Sequence, residues 1–235
     1  MTYNIHKARS PLGRKSILKP LRELLRTTQA DLVFLQEVFE SVTEKQMEFL
    51  ADTVWAHASY GQNATYPKGH HGNAVLSKYP ILYSENQDIS AHPFESRGLL
   101  QVEIDLGDGR KLPVFCVHLG LFERGRKRQL ESVRHRVEQV VSKESPIVLA
   151  GDFNDWREAA SGALASLGLS EVSKITNGRY LKSFPSVYPM FCLDRIYVRG
   201  LRVLEVEVLK NIQFSDHLPI LVTVEWPKKE DRCSG

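Results

Sequence analysis

The segment IVLAGDFNDW, Ile147–Trp156, sets an acid and an amide, Asp152 and Asn154, just behind four apolar residues. On extended backbone, residues two apart share a face. The carboxylate could then accept a proton while the amide donates to the same reacting centre. The pair also suits a turn, because Asp and Asn side chains bond their own backbone. The decapeptide leaves both readings open. Comparable side chains stand at the ends of other apolar runs: Asn4, Gln36 and Glu37, His118, Asp194, and Asp216 with His217. Each has an ordinary explanation. Glu37 could cap a helix, Asp194 could pair with Arg195, and His118 could be a satisfied core histidine. Eight such residues (Asn4, Glu37, His118, Asp152, Asn154, Asp194, Asp216 and His217) on strands of one core are hard to explain as separate turns. Ligands of α/β sheets gather at the carboxyl ends of strands.

Strands and helices must alternate to place these residues. After strand-like Met1–Ile5, the spacing of Leu18, Leu21, Leu25 and Thr28 predicts a helix over Lys15–Thr28. Asp31–Gln36 reads as a buried strand, Thr43–Val54 as a helix, and Asn73–Ser77 as a strand stopped by Tyr79-Pro80. Leu99–Leu106 alternates, and Asp108-Gly109 turns it into Leu112–His118. Glu123–Ser142 is the longest predicted helix. A short helix near Glu158–Leu167 and strands at Leu193–Val198, Leu201–Leu209 and Pro219–Trp226 follow. Hairpins and crossovers both occur. The fold class expected is α/β, a four-layer α-β-β-α sandwich of two mixed β-sheets flanked by helices. A single domain is expected over 1–227, with a polar, frayed tail over 228–235.

The bulk numbers narrow the classes. The chain has 235 residues, 42% hydrophobic and 25% charged, as in an ordinary globule. It contains no apolar run long enough for a membrane span, and polar Met1–Ser10 lacks the apolar core of a signal peptide. Because Met1 already adjoins strand-like residues, residues leading into that strand are expected before it. Three cysteines, Cys116, Cys192 and Cys233, without CxxC spacing argue against a disulfide framework and a zinc knuckle. Cys116 and Cys192 are expected in the core, and a cytoplasmic monomer is the expectation. A net charge of +3 permits an anionic partner without requiring one.

In order along the chain, TYNIHK, LQEV, GNAVLSKYP, VHLGL, GDFND, LDRIYV and SDHLPI resemble the signature blocks of the endonuclease/exonuclease/phosphatase superfamily, the DNase I-like fold. They run from Thr2 to Ile220. The stretch YPKGHHGNAVLSKYPI, with Arg97-Gly98, is most similar to a compact bacterial branch. The resemblance implies metal-assisted hydrolysis of a phosphoester by activated water. It implies Glu37 as principal Mg²⁺ ligand, with Asn4 and Asp216 near the metal and Mn²⁺ as a substitute. It implies Asp152 as the base that orients the water, Asn154 as a donor to the phosphoryl oxygens, and His217 on the phosphate, held by Asp194. His118 lies where the DNase I and neutral sphingomyelinase branches place a histidine, whereas the abasic-site endonuclease branch uses a tyrosine. As a general acid, His118 should titrate near ~6.5–7.5 when modestly raised by the phosphate. The residue chemistry agrees with such a site: Mg²⁺ takes oxygen ligands and keeps several waters, and no soft-ligand cluster competes.

His70 and His71 precede Gly72-Asn73 in an expected loop. The resemblance implies a substrate role there for His71 and Asn73; the alternative is a solvated loop with one packed histidine. Arg97 could bind phosphate through its guanidinium or sit at a strand start on the surface. The basic run Arg124–Arg136 could follow nucleic acid or anionic headgroups, but Glu123, Glu131 and Glu138 dilute it, and it reads as a solvated helix face. The function expected is a divalent-metal-dependent phosphodiesterase. Its substrate is a nucleic acid or a phospholipid-type headgroup, with a lean toward the smaller or lipid-like diester. The alternatives are a phosphomonoesterase and a catalytically silent phosphate-binding member of the fold. A calcineurin-like phosphatase would need a GNH[DE] block, and the nearest string is GNAV.

Overall fold

Period-2 burial organises the centre of the molecule. In a computed structural model describing residues 1–10, 15–212 and 214–227, the strands in chain order are β1 (Thr2–Asn4), β2 (Leu32–Glu40), β3 (His57–Tyr66), β4 (Gly69–Ser77), β5 (Ile81–Asp88), β6 (Gly98–Asp105), β7 (Lys111–His118), β8 (Ile147–Asp152), β9 (Ser170–Glu171), β10 (Asp194–Arg199), β11 (Arg202–Val208) and β12 (Ile220–Glu225). They form two six-stranded sheets of order β11-β12-β1-β2-β4-β3 and β5-β6-β7-β8-β10-β9. Successive side chains of a strand point to opposite faces. Thus Phe34 of β2 enters a core between the sheets with Val75, Val114, Cys116 and Ala150. Its neighbours Val33 and Leu35 face the other way, toward α1 (Leu18–Thr27) and α2 (Gln46–Ala51). On β7 the alternation repeats. Val114 and Cys116 face the other sheet, while Phe115 and Val117 pack under α3 (Glu123–Val140) and α4 (Ala160–Ala165). These are the four layers the sequence predicts. A short helix, α5 (Val172–Asn177), follows β9.

Parallel pairing at the middle of each sheet aligns the strand ends. β1 runs parallel to β2 with Asn4 beside Gln36, and β7 parallel to β8 with His118 beside Asp152. β10 is antiparallel to β8, so it begins where β8 ends, with Asp194 opposite Asp152. β12 is antiparallel to β1, which brings the 214–217 segment to the same edge. Gly151 makes the β7–β8 approach possible: at φ 150°, a Cβ there would stand 1.9 Å from the Val117 carbonyl oxygen.

Several expectations are revised. The helices are shorter than predicted over Lys15–Thr28 and Thr43–Val54. β2 does not stop at Gln36 but continues to Glu40 through a bulge between Leu35 and Val38. His70 and His71 lie in β4, not in a loop. Cys116 is fully buried, whereas Cys192 is only half-buried. The 228–235 tail and Cys233 lie outside the described residues.

Candidate active site

Asn4, Glu37, His118, Asp152, Asn154, Asp216 and His217 line one cleft of about 540 Å³, with Arg97, Leu121, Trp156 and Phe191 on its walls. Asp194 stands behind His217. Each side chain arrives for a local reason. At the bulge Glu37 has φ 57°, a conformation L residues rarely adopt. Bulges re-aim side chains, and this one turns Glu37 toward the cleft. One of its carboxylate oxygens, Oε2, is buried with no hydrogen bond; Lys7 Nζ is 3.4 Å away but poorly aligned to donate.

The segment after β8 satisfies both readings of GDFND. Asp152 Oδ1 accepts the Asn154 N–H at 2.9 Å, so the acid does fold a turn. Asn154 has φ 49°, off the extended backbone, and its Nδ2 donates to the Leu119 carbonyl at 2.9 Å. The two side chains reach the cleft through the turn rather than by sharing a strand face. Across the sheet gap, Asn4 Nδ2 donates to Asp152 Oδ2 at 3.0 Å.

On β10 the alternation decides which acid serves which base. Asp194 and Arg195 are consecutive and must diverge. Arg195 turns away to Asp155 at 3.1 Å, and Asp194 Oδ2 lies 2.7 Å from His217 Nδ1. The alternative of an Asp194–Arg195 pair is therefore excluded. His217 Nε2 lies 3.6 Å from Asp152 Oδ2, making a buried Asp–His–Asp chain. Burial opposes the His217 cation, but Asp194 and Asp152 outweigh it and lift the imidazole to about 10. Burial pushes Asp152 up to about 6, against the pull of His217 and of the Asn4 and Asn154 donors.

His118 Nε2 is 3.5 Å from Asp152 Oδ2. Burial, reinforced by Arg97 and the His217 charge, holds it well below the ordinary histidine value. The sequence-based expectation of ~6.5–7.5 applies to His118 raised by a bound phosphate; in the free protein burial favours neutral His118, while Asp194 and Asp152 favour the His217 cation.

The remaining candidates separate. Arg97 lines the cleft and also a second, adjoining cleft; it pairs with Glu95 at 3.4 Å, and its buried Nε lacks a partner. His71 lines the adjoining cleft, 2.8 Å from the Tyr66 hydroxyl, with burial lowering it to about 4 against the pull of Glu37. Asn73 is fully buried, and its Nδ2 bridges the Gly98 and Cys116 carbonyls of the other sheet. What remains is Oδ1, an acceptor, which has nothing to offer an anionic phosphate. The structure gives Asn73 the position of a brace. Lys7, Trp156, Phe191 and the Ser215 hydroxyl, which donates to the Asn4 carbonyl at 2.7 Å, were not singled out by sequence. Lys7 lay inside TYNIHK, Ser215 inside SDHLPI and Trp156 at the end of IVLAGDFNDW; Phe191 carried no signal of type or spacing.

Asp152, Asp194 and His217 offer ligand atoms within 4.8 Å of one another, close enough for a metal. His217 Nδ1, however, is already engaged by Asp194 Oδ2 at 2.7 Å, and Asp152 accepts from Asn4 and Asn154, so of the carboxylate oxygens there only the buried Oδ1 of Asp194 is left without a hydrogen bond. The free Glu37 oxygen, with Asn4 and Asp216 on the same cleft, is the better match to a hard cation that takes one or two carboxylates and several waters.

The model of the endonuclease/exonuclease/phosphatase family matches residues 1–217. The YbhP protein of Escherichia coli is 43% identical over 213 residues, 85% of this chain and 84% of that protein. Among solved structures, the mannosyl-6-phosphatase of Bacteroides thetaiotaomicron aligns with a TM-score of 0.73 at 18% identity, covering 95% of this chain and 98% of that one. D. rerio TDP2, complexed with a single-strand DNA product, aligns at 0.72 and 18% identity, covering 95% and 97%. At such identities the two structures show the shared fold. The extent of the family match, over a double sheet with its polar residues gathered at one edge, makes this chain a member of the endonuclease/exonuclease/phosphatase family.

Proposed function

We propose that the chain is a divalent-metal-dependent phosphodiesterase that hydrolyses a P–O bond by in-line attack of water. Family membership supports phosphoesterase chemistry in general. The observation that carries the finer reading is the buried Asp194–His217–Asp152 chain sharing one cleft with Glu37, whose Oε2 is ion-paired with Lys7 but accepts no hydrogen bond. Glu37, with Asn4 and Asp216, would hold Mg²⁺ or Mn²⁺, which supplies charge neutralisation at the phosphoryl oxygens.

Asp152, pushed up to about 6, is suited to take a proton from water near neutral pH. Asn4 and Asn154 fix its carboxylate from either side. His217, kept cationic by Asp194, donates to a phosphoryl oxygen, and Asn154 and the free Nε of Arg97 add donors. His118 presents a neutral N–H to the same phosphate. Two substituents on phosphorus fit because the cleft continues past Arg97 and Leu121 into a second one of about 940 Å³.

The test is a panel with Mg²⁺ and Mn²⁺: plasmid, oligonucleotides, phospholipid and sphingomyelin headgroup esters, inositol phosphates and bis(p-nitrophenyl) phosphate. Asp152→Asn should lower kcat by ~10²–10⁴-fold with a small change in KM. Glu37→Gln should weaken Mg²⁺ binding in calorimetry without unfolding. A variant at 152 keeping over half its activity, or one at 37 with unchanged Mg²⁺ affinity, rules out the respective role. Turnover confined to monoesters would replace the diester reading.

A further inference from the structure

The cleft beyond Arg97 has a character that the reaction centre does not explain. Phe94 is 93% exposed and Phe122 73%, and both line it together with Tyr66 and Leu121. Trp156 and Phe191, each more than two-fifths exposed, continue the apolar rim around the reaction cleft itself. These six side chains come from five separate stretches of chain, so no single loop accounts for them. Large apolar side chains left contiguous in water mark sites of interaction. Beside them stand Arg124 and Arg128, on the first turns of α3 and in the wall of the larger cleft. No carboxylate pairs with either among the described residues, whereas Lys127 and Arg157 share Glu123 nearby.

We propose that this face docks on an anionic lipid surface and that the substrate is a phosphodiester carried by an acyl-chain lipid. The proposal rests on the phosphodiesterase reading for the reaction but not for the docking. The scissile phosphate would sit among Asn4, Glu37, His118, Asp152 and His217. The lipid's apolar portion would lie along Leu121, Phe122 and Phe94, and neighbouring headgroups would meet Arg124 and Arg128. Aromatic and leucine side chains beside cationic ones are what an interfacial surface needs: the apolar groups enter the headgroup boundary and the cations stay with the anionic lipid. A single-stranded nucleic acid is the competing occupant, because rings and arginines can also stack bases and hold phosphates. Two features favour lipid. Leu121, which offers no stacking face, joins the two clefts, and Glu95 is fixed in the wall beside Arg97, where a chain of repeated phosphates would meet it.

Sedimentation with sucrose-loaded vesicles tests this without relying on turnover. The wild type should co-sediment with phosphatidylglycerol–phosphatidylcholine vesicles and stay in the supernatant with pure phosphatidylcholine. Phe94→Ser/Phe122→Ser should cut partitioning by about a hundredfold, since each fully buried phenyl contributes about tenfold or more. Arg124→Gln/Arg128→Gln should remove most of its salt dependence. Both double variants change exposed residues outside the reaction cleft, and their circular dichroism and melting temperature should match the wild type. Failure of the wild type to bind the anionic vesicles, or equal binding to both compositions, overturns the proposal. So does anisotropy in which labelled oligothymidylate binds and the phenylalanine variant loses it. Vesicle binding with no turnover of any phosphoester would leave the docking surface standing and remove the phosphodiesterase reading instead.

Discussion

At the scale of single residues, two histidines a few ångströms from one carboxylate have been driven in opposite directions. His217 faces Asp194 and Asp152 and is lifted to about 10; His118, equally buried but facing Arg97 and the His217 charge, is pushed down. Neutral His118 can position a phosphoryl oxygen but has no proton to spare for a leaving alkoxide. His118→Ala should therefore lower kcat/KM equally on an alkyl diester and on bis(p-nitrophenyl) phosphate. A loss confined to the alkyl ester would show that bound phosphate turns His118 into an acid. For His217, a folded-state pKa above the unfolded value means stability present in full below about 6.5 and lost as pH rises through about 10. Melting temperature should fall across that window in the wild type. Asp194→Asn, lower at neutral pH, should flatten the fall. Parallel pH profiles for the two proteins would contradict the Asp194–His217 assignment.

At the scale of elements, the reaction residues depend on strands ending in register. Gly151 is the point at which this is most exposed to test. Gly151→Ala puts a methyl carbon against backbone of β7, which cannot swing aside as a side chain can. Stability should drop by more than about 2 kcal/mol in denaturant unfolding, with activity falling further as His118 and Asp152 part; a full-strength variant would mean the strands can separate freely. The same dependence explains which elements the sequence shows. Central strands such as Ile147–Asp152 announce themselves by apolar runs, and Asp108-Gly109 marks its hairpin. His57–Tyr66 and Ile81–Asp88 carry no apolar run because each lies at one edge of its sheet and is largely polar, where polar side chains belong. Missing His57–Tyr66 also hid the hairpin that turns His70 and His71 into strand residues. The bulge at Glu37 left no mark at all, since a non-glycine residue there gives no hint of positive φ. Asp152, Asn154, Asp194 and His217 were legible as a group through their strand ends, but the charge states were not, because burial and neighbour geometry set them.

At the scale of the whole molecule, the site is shared between two sheets, and few polar contacts lock one sheet to the other. Asn73 is one. Asn73→Ala strands the Gly98 and Cys116 carbonyls and should cost about 1–3 kcal/mol, while turnover of bis(p-nitrophenyl) phosphate stays within a factor of two. A large rise in KM with unchanged stability would return Asn73 to substrate binding. The division of the chain between the sheets has a further consequence. Residues 81–199 build one sheet without interruption, while the other takes β1–β4 from before that stretch and β11–β12 from after it. During synthesis the second-sheet half, with His118, Asp152, Asn154 and Asp194, is available early. Its companion sheet is completed only when Ile220 pairs with Thr2, and Asp216 and His217 arrive only with that returning segment. Until then Asp194 has no histidine and Asp152 no neighbouring cation. On the proposed mechanism a nascent chain stays chemically silent until its two distant arms have met, and the same event that closes the sandwich arms the site.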